Sequence, residues 1–527
     1  MTLELELDLL MSELELDADH HQHHCLVPSG KTGTTRLIAS LSSRAPLRPL
    51  PLRPYLPAQA SASRAAMSRA AALDVQLELA MARLNALDDQ RLRTWVEYVR
   101  QHVQQYEDQD EDEDEDGPHA SGSSSTAFSW SRARLNKRNV DFNRYNNIAS
   151  WDHALLPGPY LNASYIPALP LKGSRADAQA YVATQAPLPA TFPTFFAHLA
   201  AQRVRVLVML TPLRERGMPK AHQYWPSSSS SSSSASPASS SSAASQNQSA
   251  SSSLSARLHQ LYSGHHHHQE GTNGTAAGAA ASQTLVLDDS GWAVELIEEQ
   301  ELHAAPLPSS AQDPARRLPP NAALHLRRLR IHIGTNPSPA DCRRDPTAQQ
   351  TNSGTHELVQ LHLSSWADHG ADSLETLDVL LDWIDHFQYS DRRSDAQPAI
   401  AQPPIWAHCS AGVGRSGTVI AAHMLRHIAS LSFTTLPLAQ IPSTTIPDPA
   451  ERAFLLSSTD DDENDDHEGE REGQEEEAMM HTAIGLVAYL RRFRPSMVQT
   501  VKQLDMVYEA ALAAQRRSRL ASESGSA

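Results

Sequence analysis

The stretch Ile405-Trp406-Ala407-His408-Cys409-Ser410-Ala411-Gly412-Val413-Gly414-Arg415-Ser416-Gly417-Thr418 sets the reading of the whole chain. Ile405 to Ala407 is a short apolar run and reads as the end of a buried strand. Val419 to Ser430 reads as a helix with Val419, Ile420, Met424, Leu425 and Ile428 on one face. The loop between them carries glycines at 412, 414 and 417. Glycine permits the backbone angles that turn successive N–H groups inward, making an anion-binding nest at a helix N-terminus. Cys409 opens this loop and Arg415 closes it.

A cysteine facing such a ring of N–H dipoles has its thiolate favoured, so its pKa falls below the free value of about 8.5. A dianionic phosphoryl group fits the same cradle, formed by Ser410, Ala411, Gly412, Val413 and Gly414. Arg415 can hold two of its oxygens with a planar fork, which lysine cannot do. Cys409 is then placed to attack phosphorus and take the group covalently. The bland alternative is a structural cysteine beside a glycine-rich turn.

The rest of the chain narrows the class. Its 527 residues exceed what one compact domain needs, and 40% hydrophobic content supports a core in part of it. The net charge of −17 is concentrated: residues 107–116 carry nine acids, and 460–477 carry twelve acids and one arginine. Without those runs the body is near neutral, so overall acidity says nothing of its substrate, and nothing points to nucleic acid. Three cysteines, Cys25, Cys342 and Cys409, make no disulfide framework, and a free central cysteine suits a reducing compartment. No run of 18 apolar residues exists, so no membrane span is expected. The N-terminus reads as neither a secretory nor a transit peptide. Cytoplasmic residence, or nuclear, is the expectation; oligomeric state is left open.

Residues 1–70 read as a disordered region, with an extended linker at prolines 46, 49, 51, 54 and 57. His20, His21, His23, His24 and Cys25 read as a solvated tract rather than a metal site. Residues 71–106 read as an amphipathic helical segment, packed on the following domain or binding a partner. Residues 107–126 are an acidic and serine-rich linker, and 517–527 a disordered tail. Within the body at 127–516, low-complexity insertions are expected at about 226–283, 334–355 and 432–478. Helices are expected at 374–389, His481–Phe493 and beyond Gln503 to about Arg516. Leu324–Ile333 and Glu357–Leu363 alternate with period two and read as paired strands.

His-Cys, five residues, Arg-Ser resembles the signature of the cysteine-dependent protein tyrosine phosphatases, of the classical, non-receptor type. The resemblance is carried further by Asn143–Ile148, Tyr160–Ile166, Tyr181–Leu188, the Glu215 to Trp225 segment, Trp366–Gly370 and Arg494–Gln503. It implies an α/β fold, a twisted mixed sheet flanked by helices, with the phosphate loop at a strand's C-terminal end. It implies phosphotyrosine-containing proteins as substrates and no metal or organic cofactor.

The resemblance also implies roles. Tyr145 is an aromatic wall that suits phosphotyrosine. Asn147 stands where many relatives have an aspartate that grips substrate backbone. Glu215 pairs with Arg415, and Lys220 contacts the mobile acid loop. Asp368 is the general acid and later the base, with Trp366 as hinge anchor. Gln503 positions water, with Gln499 nearby. Ser416 helps the phosphocysteine break down, and His408 orients and tunes Cys409. Two departures stand out: Ala186 replaces a glycine, and Ala367 replaces the proline of the acid loop. Ala367 and Asn147 point to a phosphotyrosine-binding pseudoenzyme as an alternative, and a dual-specificity phosphatase is a further one.

Overall fold

Period-two burial organises the centre of the molecule. In the strands Tyr181–Thr184 (β2), Val206–Met209 (β3) and Ile405–His408 (β10), every residue is buried, as strands covered on both faces require. Successive side chains point to opposite faces. Tyr181, Ala183, Val206, Val208, Ile405 and Ala407 enter one apolar core, and Val182, Leu207, Met209 and Trp406 enter a second.

The computed structural model describes residues 69–102, 128–130, 132, 136–169, 179–227, 283–288, 291–306, 316–334, 354–389 except 369 and 371, 402–429 and 469–524. The His20–Cys25 tract, the proline linker, the first acidic run, the serine and His265–His268 tract and Cys342 lie outside them.

Eight strands form one mixed sheet: Ala163–Ile166 (β1), β2, β10, β3, Thr355–Leu363 (β9), Leu324–His332 (β8), Ala293–Leu302 (β7) and Gln283–Val286 (β6), in that spatial order. β2, β10, β3 and β9 run parallel; β1 is antiparallel to β2, and β8 is antiparallel to both β7 and β9. Leu324–His332 and Thr355–Leu363 pair antiparallel over nine residues each, as their alternation foretells. Arg214–Glu215 (β4) and Met218–Pro219 (β5) make a separate small hairpin.

Helices cover both faces. Arg69–Gln101 (α1), Leu374–Tyr389 (α4), Gly414–Ala429 (α5), Gly469–Arg491 (α6) and Val501–Ser524 (α7) contribute to the first core. Phe192–Ala201 (α3) packs its Phe192, Phe195, Phe196 and Leu199 into the second. Lys137–Val140 (α2) is a single turn capped by the Asn136 side chain. α1 is a single helix, and it is part of the body. Asp88 takes the buried guanidinium of Arg491 at 3.2 Å, and Leu77, Met81 and Leu84 enter the first core.

Three boundaries differ from those expected of the sequence. α6 begins at Gly469, inside the segment assigned to the 432–478 insertion and well before His481. The acidic run was read from its charge, yet glutamate is a good helix former, and the helix continues into buried Met479, Met480 and Ala483. α7 runs to Ser524, past Arg516 and into the assigned tail, because no glycine or proline interrupts it before Gly525. The apolar alternation of the sequence marks a strand only over Ala293–Leu296, yet β7 extends to Leu302. Its charged residues face β8 partners such as Arg327 and Arg330, which bind Glu299 and Glu295.

Candidate active site

The cradle sits at the C-terminal end of β10, in the middle of the parallel strands, and leads directly into α5. Gly412 has φ +75°, which favours glycine, and a Cβ there would lie 2.1 Å from the Thr184 carbonyl oxygen. A Cβ on Gly414 would meet Gln499 Oε1 at 2.8 Å and Gln503 Oε1 at 2.9 Å. A Cβ on Gly417 would meet the Val498 nitrogen at 2.6 Å. Each of these three glycines therefore marks a close approach.

The cradle is held from behind by a residue to which the sequence reading gave no role. Arg494 is fully buried, and it donates through Nε to the Gly412 carbonyl (2.9 Å) and through Nη2 to the Ala411 carbonyl (2.8 Å). Nη2 also donates to Asn162 Oδ1 at 2.8 Å, and Nη1 to the Ser150 hydroxyl at 2.9 Å. Drawing those carbonyls backward turns the opposite edges of the peptides, their N–H groups, toward the pocket. Burial lowers the Arg494 pKa to about 10, which leaves it charged at neutral pH. The signal for it was an arginine nine residues before Gln503, too generic to assign without the fold.

Cys409 is buried, and burial alone pushes its thiol up. The Arg415 charge, the Ser416 hydroxyl and N–H, and the Gly412 N–H oppose this, and the net shift is downward. The Gly412 N–H donates to Sγ at 3.3 Å. Among the described residues the buried Ser416 hydroxyl has no other hydrogen-bond partner. Thiolate formation is therefore favoured by the groups expected to cradle phosphate.

His408 is placed by its partners. Its Nδ1 faces the Cys409 carbonyl at 3.0 Å, which can only accept, so Nδ1 carries hydrogen. Nε2 then accepts from the Tyr224 hydroxyl at 2.7 Å. Burial lowers the His408 pKa to about 4, so the ring is neutral near pH 7. Gln360 Nε2 donates to the Tyr224 oxygen (2.7 Å), and Arg327 Nη1 donates to Gln360 Oε1 (3.0 Å). A buried chain of hydrogen bonds thus runs from β8 through β9 to the cysteine backbone.

The acid loop lies against the cradle. Arg415, 1% exposed, donates through Nη1 to the Trp366 carbonyl at 2.7 Å and through Nη2 to Asp368 Oδ1 at 2.9 Å. Lys220 holds the other carboxylate oxygen at 2.6 Å, and this hydrogen bond raises the lysine pKa. Glu215 Oε1 accepts from the Asp368 N–H at 2.8 Å, while Glu215 Oε2 stands 3.8 Å from Arg415 Nη1. Glu215 thus stands near Arg415, the partner expected of it, but its hydrogen bond goes to the acid loop, a contact expected only of Lys220. Trp366 is buried and closes the loop on itself, Nε1 donating to the Gly370 carbonyl at 2.9 Å.

Tyr145 is half-buried, and its hydroxyl lies 2.7 Å from the Ser410 hydroxyl at the start of the cradle. Its loop is fixed by Arg144, whose side chain donates to the Ala186 and Pro187 carbonyls at 3.0 and 3.1 Å. Asn147 is exposed on the same loop. Gln503 is engaged at both ends: Oε1 accepts from the Gln499 N–H at 2.9 Å and Nε2 donates to the Gly370 carbonyl at 3.4 Å. Among the described residues the Gln499 side chain has no partner. The residues singled out from the sequence thus converge on one cradle, with Asn147 at its outer rim.

The protein-tyrosine phosphatase family profile matches residues 139–269 and 323–435, segments that hold the tyrosine loop, the acid loop and the cradle. The chain carries a protein-tyrosine phosphatase domain. Receptor-type tyrosine-protein phosphatase S of Gallus gallus is 40% identical to it over 108 residues, 19% of this chain and 7% of the relative. Tyrosine-protein phosphatase 99A of Drosophila melanogaster is 27% identical over 284 residues, 53% of this chain and 14% of the relative. These matches span only a small part of the relatives' length. A solved structure described as PTPN18 in complex with HER2-pY1196 phosphor-peptides aligns with TM-score 0.41 and 16% identity, over 75% of this chain and 88% of that one. Among the described residues no helix of the phosphatase domain, or outside it, is long and apolar enough to cross a membrane.

Proposed function

We propose that this domain hydrolyses phosphotyrosine in proteins through a phosphocysteine intermediate. The observation that carries the reading is the gathering of Cys409, Arg415 and Asp368 at one cradle: the Arg415 charge favours the Cys409 thiolate, and Arg415 donates to Asp368 at 2.9 Å. The Cys409 thiolate attacks phosphorus while Arg415 and the inward N–H groups of Ser410 to Gly414 hold the equatorial oxygens. Phosphate takes the place on Arg415 Nη2 that the Asp368 carboxylate now fills. Asp368, released toward Lys220, delivers a proton to the leaving tyrosine oxygen. It then takes one from water as the phosphocysteine is hydrolysed. Gln503, fixed at both ends, braces Gln499, whose uncommitted amide orients that water, and Ser416 donates to the departing sulfur. Tyr145 supplies the wall that suits an aryl phosphate. No metal or organic cofactor enters this scheme.

Capture without turnover is the second reading. It is favoured by the ion pair between Asp368 and Arg415, which substrate must open, and by Ala367 in place of a ring that would restrict the loop. Purified full-length protein is expected to release phosphate from a phosphotyrosyl peptide and not from the phosphoseryl equivalent, with Cys409→Ser retaining peptide but releasing none. Release by Cys409→Ser would exclude the covalent route, and release from phosphoserine would favour dual specificity. The non-receptor type and cytoplasmic residence are proposed on the sequence alone, and fractionation of cells expressing the chain checks both.

A further inference from the structure

Away from the cradle, two histidines and an aspartate meet between α4 and α5. His423 and His427 lie one turn apart on α5, and Asp385 projects from α4. Asp385 Oδ1 accepts from His423 Nε2 at 3.0 Å and from His427 Nε2 at 2.9 Å. All three donor atoms lie within 4.8 Å of one another. Among the described residues this is the one group of histidine, cysteine or carboxylate side chains so gathered. The phosphatase scheme uses none of the three.

We propose that Asp385, His423 and His427 form a binding site for a divalent transition metal, with zinc as the natural occupant. The distances fit such an ion. Zinc–nitrogen bonds of about 2.0–2.1 Å in a tetrahedron set neighbouring ligand atoms about 3.3 Å apart, close to the two measured edges. Two imidazoles and one carboxylate suit zinc and exclude calcium or magnesium, which take oxygen. Histidines at i and i+4 on one helix face are a known zinc spacing.

The surroundings fit as well. His423 is fully buried, and burial lowers its pKa to about 4, so its imidazole is neutral and able to ligate. Its Nδ1 lies 2.7 Å from the Tyr181 hydroxyl, a partner that fixes the ring. With the metal absent, Asp385 can only accept, so both Nε2 atoms carry hydrogen. Binding needs the other neutral tautomer, with the hydrogen on Nδ1, and no net proton is released for His423. Asp385 Oδ2 accepts from Arg426 at 3.1 Å, which leaves Oδ1 turned to the histidines. Arg426 is also shared by Asp378 and Asp382, so one buried cation serves three carboxylates. Arg316 and Arg517, which also reach this group, are about half exposed. His427 is partly exposed and provides the entry path.

The residue after the first histidine is Met424 and not an acid, so no general base accompanies the ion. Its role is that of a clamp. α5 begins in the phosphate cradle at Gly414, and α4 begins shortly after the acid loop at Leu374. The ion ties the helix that follows the fixed cradle to the helix that follows the acid loop. The sequence reading missed the site because its ligands come from two helices, and only the fold brings Asp385 to the histidine pair.

The test uses the full chain, freed of metal with a chelator and then titrated with cobalt(II) and with zinc. Cys409, the His20–Cys25 tract and His265–His268 offer competing thiol and imidazole donors in a titration, so the measurement is a difference between wild type and His427→Gln. His427→Gln is expected to bind one equivalent less. The missing equivalent should show tetrahedral cobalt bands in the visible without thiolate charge transfer, which sets it apart from cysteine. Zinc should raise the unfolding temperature of wild type by several degrees more than that of His427→Gln. Asp382→Asn, which alters a neighbour and no ligand, should keep the site. Matching melts of wild type and His427→Gln in chelator establish that the variant folds. If they differ, the cobalt spectrum of wild type is read alone, and absence of thiolate-free tetrahedral bands overturns the proposal. Equal stoichiometry and equal zinc-induced shifts in the two proteins overturn it as well.

Discussion

The cradle and the acid loop face each other across Arg415, and they are held in opposite ways. The cradle is gripped through its backbone by buried groups. Arg494 takes the carbonyls of Ala411 and Gly412, His408 takes that of Cys409, and the Ala186 N–H donates to the Ser410 carbonyl at 2.9 Å. The acid loop is pinned largely by ion pairs and side-chain hydrogen bonds from Arg415, Lys220 and Glu215. Arg415 is 1% exposed and the Asp368 side chain 24%. An anion cradle must keep its N–H groups fixed before substrate arrives, because preorganised dipoles cost no rearrangement during reaction. An acid loop must exchange partners, since phosphate and Asp368 compete for the same guanidinium.

The contrast is broken most severely at its glycines. Gly412→Ala sets a Cβ into the Thr184 carbonyl at a positive φ, so the cradle must move. Misplacing reacting groups by about 1 Å costs on the order of 100-fold in rate, and we expect at least that loss in kcat on an aryl phosphate. Gly370→Ala in the acid loop has no positive φ and meets only Ala367, its carbonyl oxygen at 3.4 Å, its Cβ at 3.6 Å and its carbonyl carbon at 3.9 Å. It should change turnover by about twofold or less, the scale of a surface substitution. Equal losses in the two variants would contradict a rigid cradle facing an adjustable loop.

Asp368→Ala comes next in size. General-acid help is typically worth about 10² to 10⁴ in rate, so kcat should fall by that range while the phosphotyrosyl peptide stays bound. The Arg415 fork, relieved of its carboxylate, should hold the peptide at least as tightly. Wild type and Asp368→Ala turning over equally slowly would mean that the loop does not close productively, and the capture reading would replace turnover.

How far the sequence reaches follows the same division. The strand, loop and helix around Cys409 were legible because glycine spacing, an apolar run and a helical face fall within a few residues of each other. So were the β8–β9 pair and α4, where periodicity is uninterrupted. Arg494 was not legible, since its partners Asn162, Ser150 and Gly412 are distant in sequence and are joined only by packing. The start of α6 was missed because a run of acids looks like linker until an apolar face follows it. The Asp368–Arg415 contact was also hidden: the resemblance assigns both residues to phosphate chemistry, and only the fold lays the acid loop against Arg415 as a direct ion pair.

Acid should loosen the cradle's support by a smaller amount. Burial lowers the pKa of His408 to about 4 and that of His362 to about 3. In the unfolded chain both titrate near 6.5. Between about pH 6.5 and 4 the unfolded state therefore binds protons that the folded state refuses, and stability falls as pH falls. Each histidine contributes a slope of up to about 1.4 kcal/mol per pH unit. Urea midpoints measured from pH 7.5 to 4.5 should decline below pH 6.5, and His362→Gln should flatten the decline. A midpoint that rises on acidification, or an unaltered slope in His362→Gln, would contradict neutral burial.

The smallest effect, and the one that sharpens the contrast, is at Ala367. Ala367 is exposed, and among the described residues its N–H donates to no partner, so proline there removes no hydrogen bond. Its carbonyl accepts from the Gly370 N–H at 3.2 Å, which proline preserves. Proline fixes its own φ and restricts Trp366 to extended angles. A compatible proline lowers the freedom of the competing states by about 0.4–1 kcal/mol, so closure should become two- to fivefold more favourable. We expect Ala367→Pro to raise kcat on a phosphotyrosyl peptide by about that factor with little change in KM, because Tyr145 and the cradle are untouched. In the Asp368→Ala background the same change should give no gain, since the loop then has no proton to deliver. A gain in both backgrounds would place the effect in binding or in the cradle, and a gain in neither would show that the loop is already held shut by Arg415, Lys220 and Glu215.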